Sequence, residues 1–368
     1  MGVRRGLAGG VVALLTLSLA PLPSMAGPDR STGLTRAEKI GQLVMFSVDG
    51  TSLSKRQRTV MKRLHLGAVI LFRDNYANRT QLARLTAQIQ RAARNGNSLG
   101  IGALISVDQE GGVVKRFPDM PPRHSAPEMR TIGKATVAFD QGRATARALR
   151  SVGVNIDLAP VADLDLPPEH IMRERSFGAE PDPAARLVRA FARGLQSRRV
   201  AATLKHFPGL GGATVNSDFG KAYVRRSRWR LRNIDAVPFE RAIEGGAKLV
   251  MLSHGIYTRD GGPRPASLNF KIATERLREG FAFDGVAITD ALEPIAWWFG
   301  GQTAKACPAT IKAGVDIALI TGNVDAARAC VAAILGAVRS GAITRARLDR
   351  AVERVLALKE WLGVLALE

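Results

Sequence analysis

The segment AATLKHFPGLGG, residues 201–212, joins a short apolar run to a glycine-rich loop through a lysine and a histidine. An apolar run of this length, bounded by glycine and proline, is typical of a buried β-strand. The segment therefore predicts a strand that carries Lys205 and His206 at its carboxyl end.

Seven other short runs rich in Val, Ile and Leu recur along the chain. Stretches with helical periodicity separate them, such as TQLARLTAQIQRAAR and PAARLVRAFARGLQSR. Continuous apolar strands that alternate with helices predict a parallel sheet covered on both faces. The eight runs are residues 42–47, 67–72, 103–108, 154–160, 201–207, 248–254, 285–290 and 316–321.

Eight strand–helix units in a chain of 368 residues predict a (β/α)8 TIM barrel. A doubly wound open sheet is the alternative, but it is expected to show a phosphate-binding glycine signature near its start, and none is present. We therefore expect an α/β fold with one barrel domain over residues 27–368.

The first 26 residues have the pattern of an export signal. Arg4 and Arg5 precede an apolar core, and the residues SMA before Gly27 fit a cleavage site. The apolar stretch is short for a membrane span, so we expect no integral span in the mature chain. The protein is predicted to be exported, to the periplasm or the extracellular space.

The formal net charge is +21, which favours anionic polymers such as those of a cell envelope. No nucleic-acid partner is expected, because the basic residues are scattered, aromatics make up 5% and no nucleic-acid motif occurs. Cys307 and Cys330 are the only cysteines, and whether they pair stays open. No metal or other cofactor is predicted.

Ionisable residues stand at or just beyond the carboxyl ends of several predicted strands. In a (β/α)8 barrel these ends meet at one rim, where active sites lie. The pattern therefore predicts an enzyme active site. The residues are Asp108, Asp163, Lys205, His206, His254 and Asp290.

Two carboxylates with cationic and hydrogen-bonding neighbours suit glycoside hydrolysis, in which one carboxylate attacks or stabilises and the other delivers a proton. A zinc hydrolase is disfavoured because the five histidines are dispersed. A serine nucleophile elbow is absent. A Schiff-base lyase acting through Lys205 remains a minor alternative.

Several motifs together resemble glycoside hydrolase family 3, and specifically its single-domain bacterial β-N-acetylhexosaminidases. The combination of VDQEGGVVKRF with LKHFPGLGG is the most specific part of the resemblance. The other matching stretches are LTRAEKIGQLVMF, GAVILFRDNY, GVNIDLAPVADLD, RERSFGAEP, VMLSHGIY and FDGVAITDAL, in family order between residues 34 and 322.

The resemblance implies a retaining hydrolase that removes terminal β-linked N-acetylglucosamine from cell-wall-type glycans, with Asp290 as the nucleophile. It also implies that a set of polar residues binds the sugar. Instead of binding sugar, Arg175 could form an ion pair with Asp163. His254 could likewise have a structural role at the rim. The implied sugar-binding residues are Asp108, Arg116, Arg175, Lys205, His206 and His254.

The chain departs from the family at the proton donor. The family's mobile loop carries an Asp-x-His pair whose histidine is the acid/base, whereas the corresponding residues here are Asn216, Ser217 and Asp218. Asp218 is therefore predicted to act as the catalytic acid, with Glu293 as an alternative donor. A β-glucosidase-type exo-hydrolase and a catalytically weak glycan-binding relative are the alternative functions.

Overall fold

The computed structural model describes residues 2, 30, 31 and 33–365. The predicted export signal, residues 1–26, lies outside the described residues except for residue 2. Within the described part of the chain, no helix is both long enough and apolar enough to cross a membrane.

Eight parallel strands form one sheet, and neighbours in the chain are neighbours in the sheet. All strands are buried, as expected for a sheet covered by helices. The strands are β1 (Val44–Ser47), β2 (Ala68–Leu71), β3 (Leu104–Val107), β4 (Ile156–Asp157), β5 (Ala201–Phe207), β6 (Leu249–Leu252), β7 (Val286–Thr289) and β8 (Ala318–Leu319).

The sheet closes on itself. Met45 of β1 pairs with Leu319 of β8, and a parallel bridge joins Ile288 of β7 to Ile317, next to β8. The last strand therefore pairs with the first strand as well as with the seventh, and the predicted (β/α)8 barrel is confirmed.

Helices cover the outside of the barrel. Several begin at a Ser, Thr or Asn cap, as at Thr35, where the hydroxyl accepts from the backbone of Glu38 and the Glu38 carboxylate accepts in return. The α-helices used below are α1 (Arg36–Gly41), α2 (Lys55–Arg63), α3 (Arg79–Arg94), α4 (Ala126–Ile132), α5 (Ala135–Ser151), α6 (Pro181–Gln196), α7 (Val237–Glu244), α8 (Ala306–Ala313), α9 (Val324–Arg339) and α10 (Arg345–Leu362). Other helical segments are Leu231–Asp235 and Lys271–Gly280, both π-helical, and Glu293–Phe299, a 3₁₀ helix.

Strand β4 is shorter than the apolar run at 154–160 predicts. The Asn155 side chain accepts from the backbone of Ile105 and donates to the carbonyl of Ala103 at the start of the strand. Pro160 has no N–H to donate to the ladder. The segment after β4 nevertheless stays beside β5, because the Ala159 carbonyl accepts from Thr203 and Val161 bridges Lys205, and it leads to Asp163.

An antiparallel hairpin follows β3 directly and was not predicted. Its strands are Gln109–Gly111 and Val114–Lys115, and Gly111 and Gly112 turn the chain with φ of 92° and 63°. The Gln109 side chain accepts from the backbone of Phe117 and donates to its carbonyl. The hairpin thereby fixes the residues of VDQEGG, with residues 107–110 extended and the two glycines at the turn.

A lysine near the end of the chain closes the floor of the barrel. Lys359 of α10 is fully buried, and its ammonium donates to the Gln42 side chain before β1 at 2.5 Å. It also donates to the carbonyls of Gly67 before β2 at 2.9 Å and Gly102 before β3 at 2.7 Å. One lysine side chain, whose pKa is lowered to about 7 by burial, therefore joins the starts of three strands.

Cys307 of α8 and Cys330 of α9 form a disulfide, and both residues are buried. The bond joins the two helices that flank β8. The question that the sequence left open is thus answered by a cross-link between consecutive helices of the barrel wall.

Candidate active site

The barrel brings together the strand-end residues that the sequence singled out. Asp108 follows β3, Lys205 and His206 belong to the end of β5, and Asp290 follows β7. The peptide bond between Lys205 and His206 is cis. Asp163 reaches the same rim because Val161 forms a bridge with Lys205. His254, two residues beyond β6, completes the group.

Lys205 lies between two carboxylates. Its ammonium donates to Oδ1 of Asp108 at 2.7 Å and lies 2.6 Å from Oε1 of Glu110. Burial opposes ionisation of Lys205, but the charges of Asp108 and Glu110 outweigh it and raise the lysine pKa. Lys205 is therefore a fixed cation with one remaining N–H, since an ammonium has three.

Glu110 is a site residue that the sequence interpretation missed. Its carboxylate forms a two-pronged ion pair with Arg175, with donor distances of 3.0 and 2.8 Å. Burial opposes ionisation here too, but Lys205 and Arg175 lower the pKa of Glu110 to about 2. Glu110 stands two residues after Asp108 in an extended segment, so both side chains lie on one face. The two-residue spacing between Asp108 and Glu110 was the feature of the sequence that could have identified Glu110 as a site residue.

The pairing of Arg175 with Glu110 corrects one of the alternatives considered for this arginine. An ion pair with Asp163 was the alternative, but Asp163 is engaged elsewhere. Its Oδ1 accepts from the backbone of Leu210 at 2.7 Å, and its Oδ2 accepts from the backbone of His206 at 3.0 Å.

Asp163 also orients the imidazole of His206. Nδ1 of His206 donates to Oδ2 of Asp163 at 2.6 Å, and Nε2 then points to Oδ2 of Asp290 at 3.9 Å. Because Asp163 is buried and accepts three N–H groups, the ring has one fixed orientation. His206 is thus presented to Asp290 rather than to solvent.

Asp290 is held in its ionised form. Burial opposes ionisation, but His206, His254, the Ala291 amide and Lys205 outweigh it and lower the pKa of Asp290. The Ala291 amide donates to Oδ1 of Asp290 at 2.8 Å. An ionised, oriented carboxylate of this kind is suited to nucleophilic attack.

His254 is occupied on both ring nitrogens. Nε2 donates to the carbonyl of Ala291 at 2.6 Å, and Nδ1 lies 2.8 Å from the hydroxyl of Ser267. Complete burial lowers the pKa of His254, although Asp290 and the Ala291 carbonyl oppose the shift. With these contacts His254 fixes the segment that follows Asp290.

Asp218 lies on the glycine-rich loop after β5, at the open side of the rim. Its amide donates to the Asn216 side chain at 3.0 Å, which forms a tight turn. The residue is exposed at the surface, yet its carboxyl group is partly desolvated by the surrounding protein. This desolvation and the charge of Asp290 raise the pKa of Asp218, while His206 and Arg175 oppose the rise. The two carboxyl groups therefore have pKa values displaced in opposite directions.

Glu293, the alternative donor, is engaged in holding the loop after β8. Its Oε1 accepts from the backbone of Thr321 at 2.8 Å and of Gly322 at 3.1 Å. This bonding holds one carboxylate oxygen of Glu293 against the loop, whereas its buried Oε2 has no hydrogen-bond partner within the described residues.

Trp297 is the more exposed of two adjacent tryptophans near the rim. Its ring packs edge to face on Trp298, with centroids 5.3 Å apart. The ammonium of Lys221 lies 4.5 Å from the Trp297 centroid. The pair connects the loop that carries Asp218 to the segment after Asp290.

Arg116 faces the rim from the hairpin. Its Nη2 lies 3.7 Å from Oδ2 of Asp108, and its guanidinium lies 5.8 Å from the ring centroid of Phe72. Its buried Nε has no hydrogen-bond partner within the described residues. Arg116 therefore retains donor capacity beside Asp108.

Asp157, inside the barrel, is another residue that the sequence interpretation passed over. Its Oδ1 accepts from the backbone of Gln109 at 3.1 Å, and burial raises its pKa well above the usual range. Asp157 therefore supports the base of the hairpin, and its carboxyl group holds a proton more readily than that of an ordinary aspartate. The only sequence feature that pointed to Asp157 was its position as an acidic residue within the apolar run VNIDLAP.

Within residues 33–365, and including the few described residues before them, no group of three or more His, Cys, Asp or Glu side chains could hold a metal ion. The ionisable residues at the rim are instead paired with one another.

A barrel rim that holds one ionised carboxylate, a second carboxyl group with a raised pKa, and fixed cationic donors is suited to glycoside hydrolysis. The family comparison agrees. Residues 35–358 match the model of the glycosyl hydrolase family 3 N-terminal domain, and the chain belongs to that family.

Curated relatives match three quarters or more of the chain. A protein of Arthroderma benhamiae, described as an uncharacterized secreted glycosyl hydrolase, is 31% identical over 94% of this chain and 98% of its own. A protein of Xanthomonas axonopodis pv. citri, named beta-hexosaminidase, is 33% identical over 76% of this chain and 83% of its own.

The solved structure of a family 3 beta-N-acetylglucosaminidase from a Paenibacillus species has a TM-score of 0.85 and 33% identity to this chain. The match covers 91% of this chain and 64% of that one. The chain thus spans about two thirds of the Paenibacillus protein, which is similar to it throughout the barrel.

Proposed function

We propose that the protein is an exported, retaining β-N-acetylhexosaminidase that removes terminal β-linked N-acetylglucosamine from cell-wall-type glycans. The observation that carries the proposal is the opposite displacement of the pKa values of Asp290 and Asp218. A retaining glycosidase needs one ionised carboxylate to attack and one protonated acid to release the leaving group. The names of the Xanthomonas and Paenibacillus relatives support the choice of sugar.

In the proposed first step, a carboxylate oxygen of Asp290 forms a bond to the anomeric carbon while the bond to the leaving oxygen breaks. The Asp218 carboxyl group gives its proton to that oxygen. In the second step, Asp218 takes a proton from water, and the water oxygen displaces Asp290 from the anomeric carbon. His206 and the Ala291 amide hold Asp290 ionised before attack.

The proposed use of Asp218 replaces the histidine found in the family's mobile loop. Asp218 occupies the last position of the corresponding triplet, and its raised pKa keeps a proton available at higher pH than for an ordinary aspartate. The alternative Glu293 is disfavoured because its Oε1 is bound by two backbone amides.

The proposed sugar-binding residues are Asp108, Lys205, His206, Arg116 and Arg175. Their support is the mutual ordering described above. Asp108 and Glu110 hold Lys205, and Glu110 in turn holds Arg175. Donors fixed by partners lose little conformational entropy when they bind sugar hydroxyl groups. His254 is proposed to act by orienting the segment after Asp290.

Export is proposed from the N-terminal pattern at residues 1–26. Two observations support it. The Arthroderma benhamiae relative is described as secreted. The Cys307–Cys330 disulfide is of a kind that persists in oxidising compartments.

Hydrolysis of 4-nitrophenyl β-N-acetylglucosaminide and the matching β-glucoside tests the proposal. We expect turnover of the first substrate by a chain beginning at residue 27, and none by Asp290→Ala. Azide added to Asp290→Ala is expected to restore cleavage with formation of an α-glycosyl azide, because a small anion replaces the missing nucleophile. Preference for the glucoside would contradict the assigned sugar. Failure to turn over either substrate, with binding of N-acetylglucosamine retained, would establish a glycan-binding protein instead.

A further inference from the structure

A cavity lies beside the hairpin that precedes Arg116. Its volume is about 820 Å³, and its walls are the start of α3, the loop after the hairpin and the last turns of α5. Four of its lining side chains are cationic, namely Arg79, Lys115, Arg123 and Arg147. Asp119 is the one acidic side chain in the lining. We refer to this cavity as the basic cleft.

The positive charge of the basic cleft is mostly uncompensated. Asp119 is bound by Arg79 at 3.1 Å and by the hydroxyl of Tyr76, so it neutralises Arg79. Across the described residues, Lys115, Arg123 and Arg147 form no ion pair. Three cations therefore face the cavity without a carboxylate of their own.

Burial is the main cause that lowers the pKa of Lys115. The charge of Asp119 opposes this shift, and the charge of Arg123 adds to it by less than Asp119 opposes it. Cations held together at this spacing are stabilised by an anionic ligand that reaches both.

The basic cleft is separated from the active-site rim by the width of the hairpin. Lys115 is the last residue of the second hairpin strand, and Arg116 follows it in a bend. Lys115 lines the cleft, while Arg116 lies 3.7 Å from Asp108 at the rim. A single polymer that crosses the hairpin can therefore contact both sites.

We propose that the basic cleft binds the anionic groups of a polysaccharide whose neutral end enters the active site. The cleft lining contains no aromatic side chain, which disfavours single-stranded nucleic acid, because that ligand relies on base stacking. Carboxylates and phosphodiesters share the chemistry that Lys115, Arg123 and Arg147 recognise. The choice of a glycan rests on the proposed function, but the anion binding does not.

Another basic cavity provides a control for net charge. It has a volume of about 410 Å³ on the outer surface of α6 and is lined by Arg186, Arg189, Arg193 and Arg241. Arg186 and Arg193 are exposed, as are Arg123 and Arg147. Arg186→Gln/Arg193→Gln thus removes the same two charges as Arg123→Gln/Arg147→Gln.

The test compares the wild-type protein with these two double variants by fluorescence anisotropy. The labelled probes are a galacturonate oligomer, a poly(glycerol phosphate) oligomer and a neutral dextran oligomer. We expect Arg123→Gln/Arg147→Gln to weaken binding of an anionic probe about tenfold and to reduce its salt dependence. The control variant is expected to change affinity by less than about twofold. Neither variant is expected to change kcat/KM for 4-nitrophenyl β-N-acetylglucosaminide.

Preferential binding of one anionic oligomer would identify the carboxylate or the phosphodiester as the ligand. Equal weakening in both double variants would overturn the proposal in favour of general charge attraction, as would equal binding of dextran. Tighter binding of a single-stranded DNA oligomer, lost in Arg123→Gln/Arg147→Gln, would replace the glycan with nucleic acid. Because binding is measured without turnover, a failure of the hydrolase assignment would be seen separately.

Discussion

Nε2 of His206 lies 3.9 Å from Oδ2 of Asp290, and no other imidazole within the described residues forms an ion pair with this carboxylate. The contact depends on Asp163, which holds the opposite ring nitrogen. The state of the proposed nucleophile thus depends on a residue of the segment that follows β4.

Replacement of His206 by Gln is expected to move the acidic limb of kcat/KM to higher pH. The neighbouring histidine lowers the pKa of Asp290, so its removal makes the carboxylate protonate at a higher pH than in the wild type. Activity that needs ionised Asp290 is then lost earlier as the pH falls. The exposed His124 offers a matched control, since His124→Gln should leave the pH profile unchanged. An unshifted acidic limb in His206→Gln would contradict this role.

Replacement of Asp218 by Asn is expected to remove the alkaline limb. The raised pKa keeps Asp218 protonated to higher pH than usual, and acid catalysis is lost as pH rises through that value. Without the acid, kcat/KM should fall roughly 10²–10⁴-fold for a disaccharide, and less for a 4-nitrophenyl glycoside whose leaving group needs little protonation. Asp284→Asn, at an exposed position just before β7, is the control. Equal losses on both substrates would rule out Asp218 as the acid.

Replacement of Glu110 by Gln is expected to weaken both folding and catalysis. It leaves Arg175 and Lys205 buried with one carboxylate fewer, which costs about 3 kcal/mol of unfolding free energy. Replacement of the exposed Asp140, which pairs with Arg143, by Asn should lower the unfolding free energy by less than about 1 kcal/mol. Urea unfolding of Glu110→Gln and Asp140→Asn measures the difference. Similar values for the two would show that the buried pairing contributes little.

Acid stability is expected to depend on Glu38 and Glu110. Each has a folded-state pKa lowered from the usual 4.5 to about 2. The unfolded chain therefore binds protons more readily, so the stabilisation is fully present above about pH 4.5 and is lost as the pH falls toward 2. The urea midpoint should decline over this range in the wild type and less steeply in Glu38→Gln. Parallel curves for the two proteins would count against the linkage.

Reduction of the disulfide is expected to lower the unfolding free energy by about 3 kcal/mol, because Cys307 and Cys330 are separated by 23 residues in sequence. The variant Cys307→Ala/Cys330→Ala should unfold at a lower urea concentration that does not change with dithiothreitol. A wild-type midpoint that is insensitive to complete reduction would contradict a stabilising cross-link.

The order of strands and the convergence of Asp108, Lys205, His206 and Asp290 could be predicted from the sequence. Both follow from local patterns, because apolar runs mark the strands and barrel closure brings their carboxyl ends together. The partners of these residues could not be predicted in the same way. The pairing of Arg175 with Glu110 joins positions 65 apart and depends on how the hairpin leaves β3. The carboxyl ends of the strands position the site residues, whereas the hairpin and the irregular segments supply the charged partners that shift their pKa values.

Lys359 also bears on how the protein comes to be folded during synthesis. The starts of the first three strands converge on a side chain that is translated 257 to 317 residues later. A nascent chain that has made those strands still has the acceptors of Gln42, Gly67 and Gly102 without their shared donor. The floor of the barrel is therefore completed only after α10 has been translated, and removal of Lys359 leaves acceptors before β1, β2 and β3 without this donor.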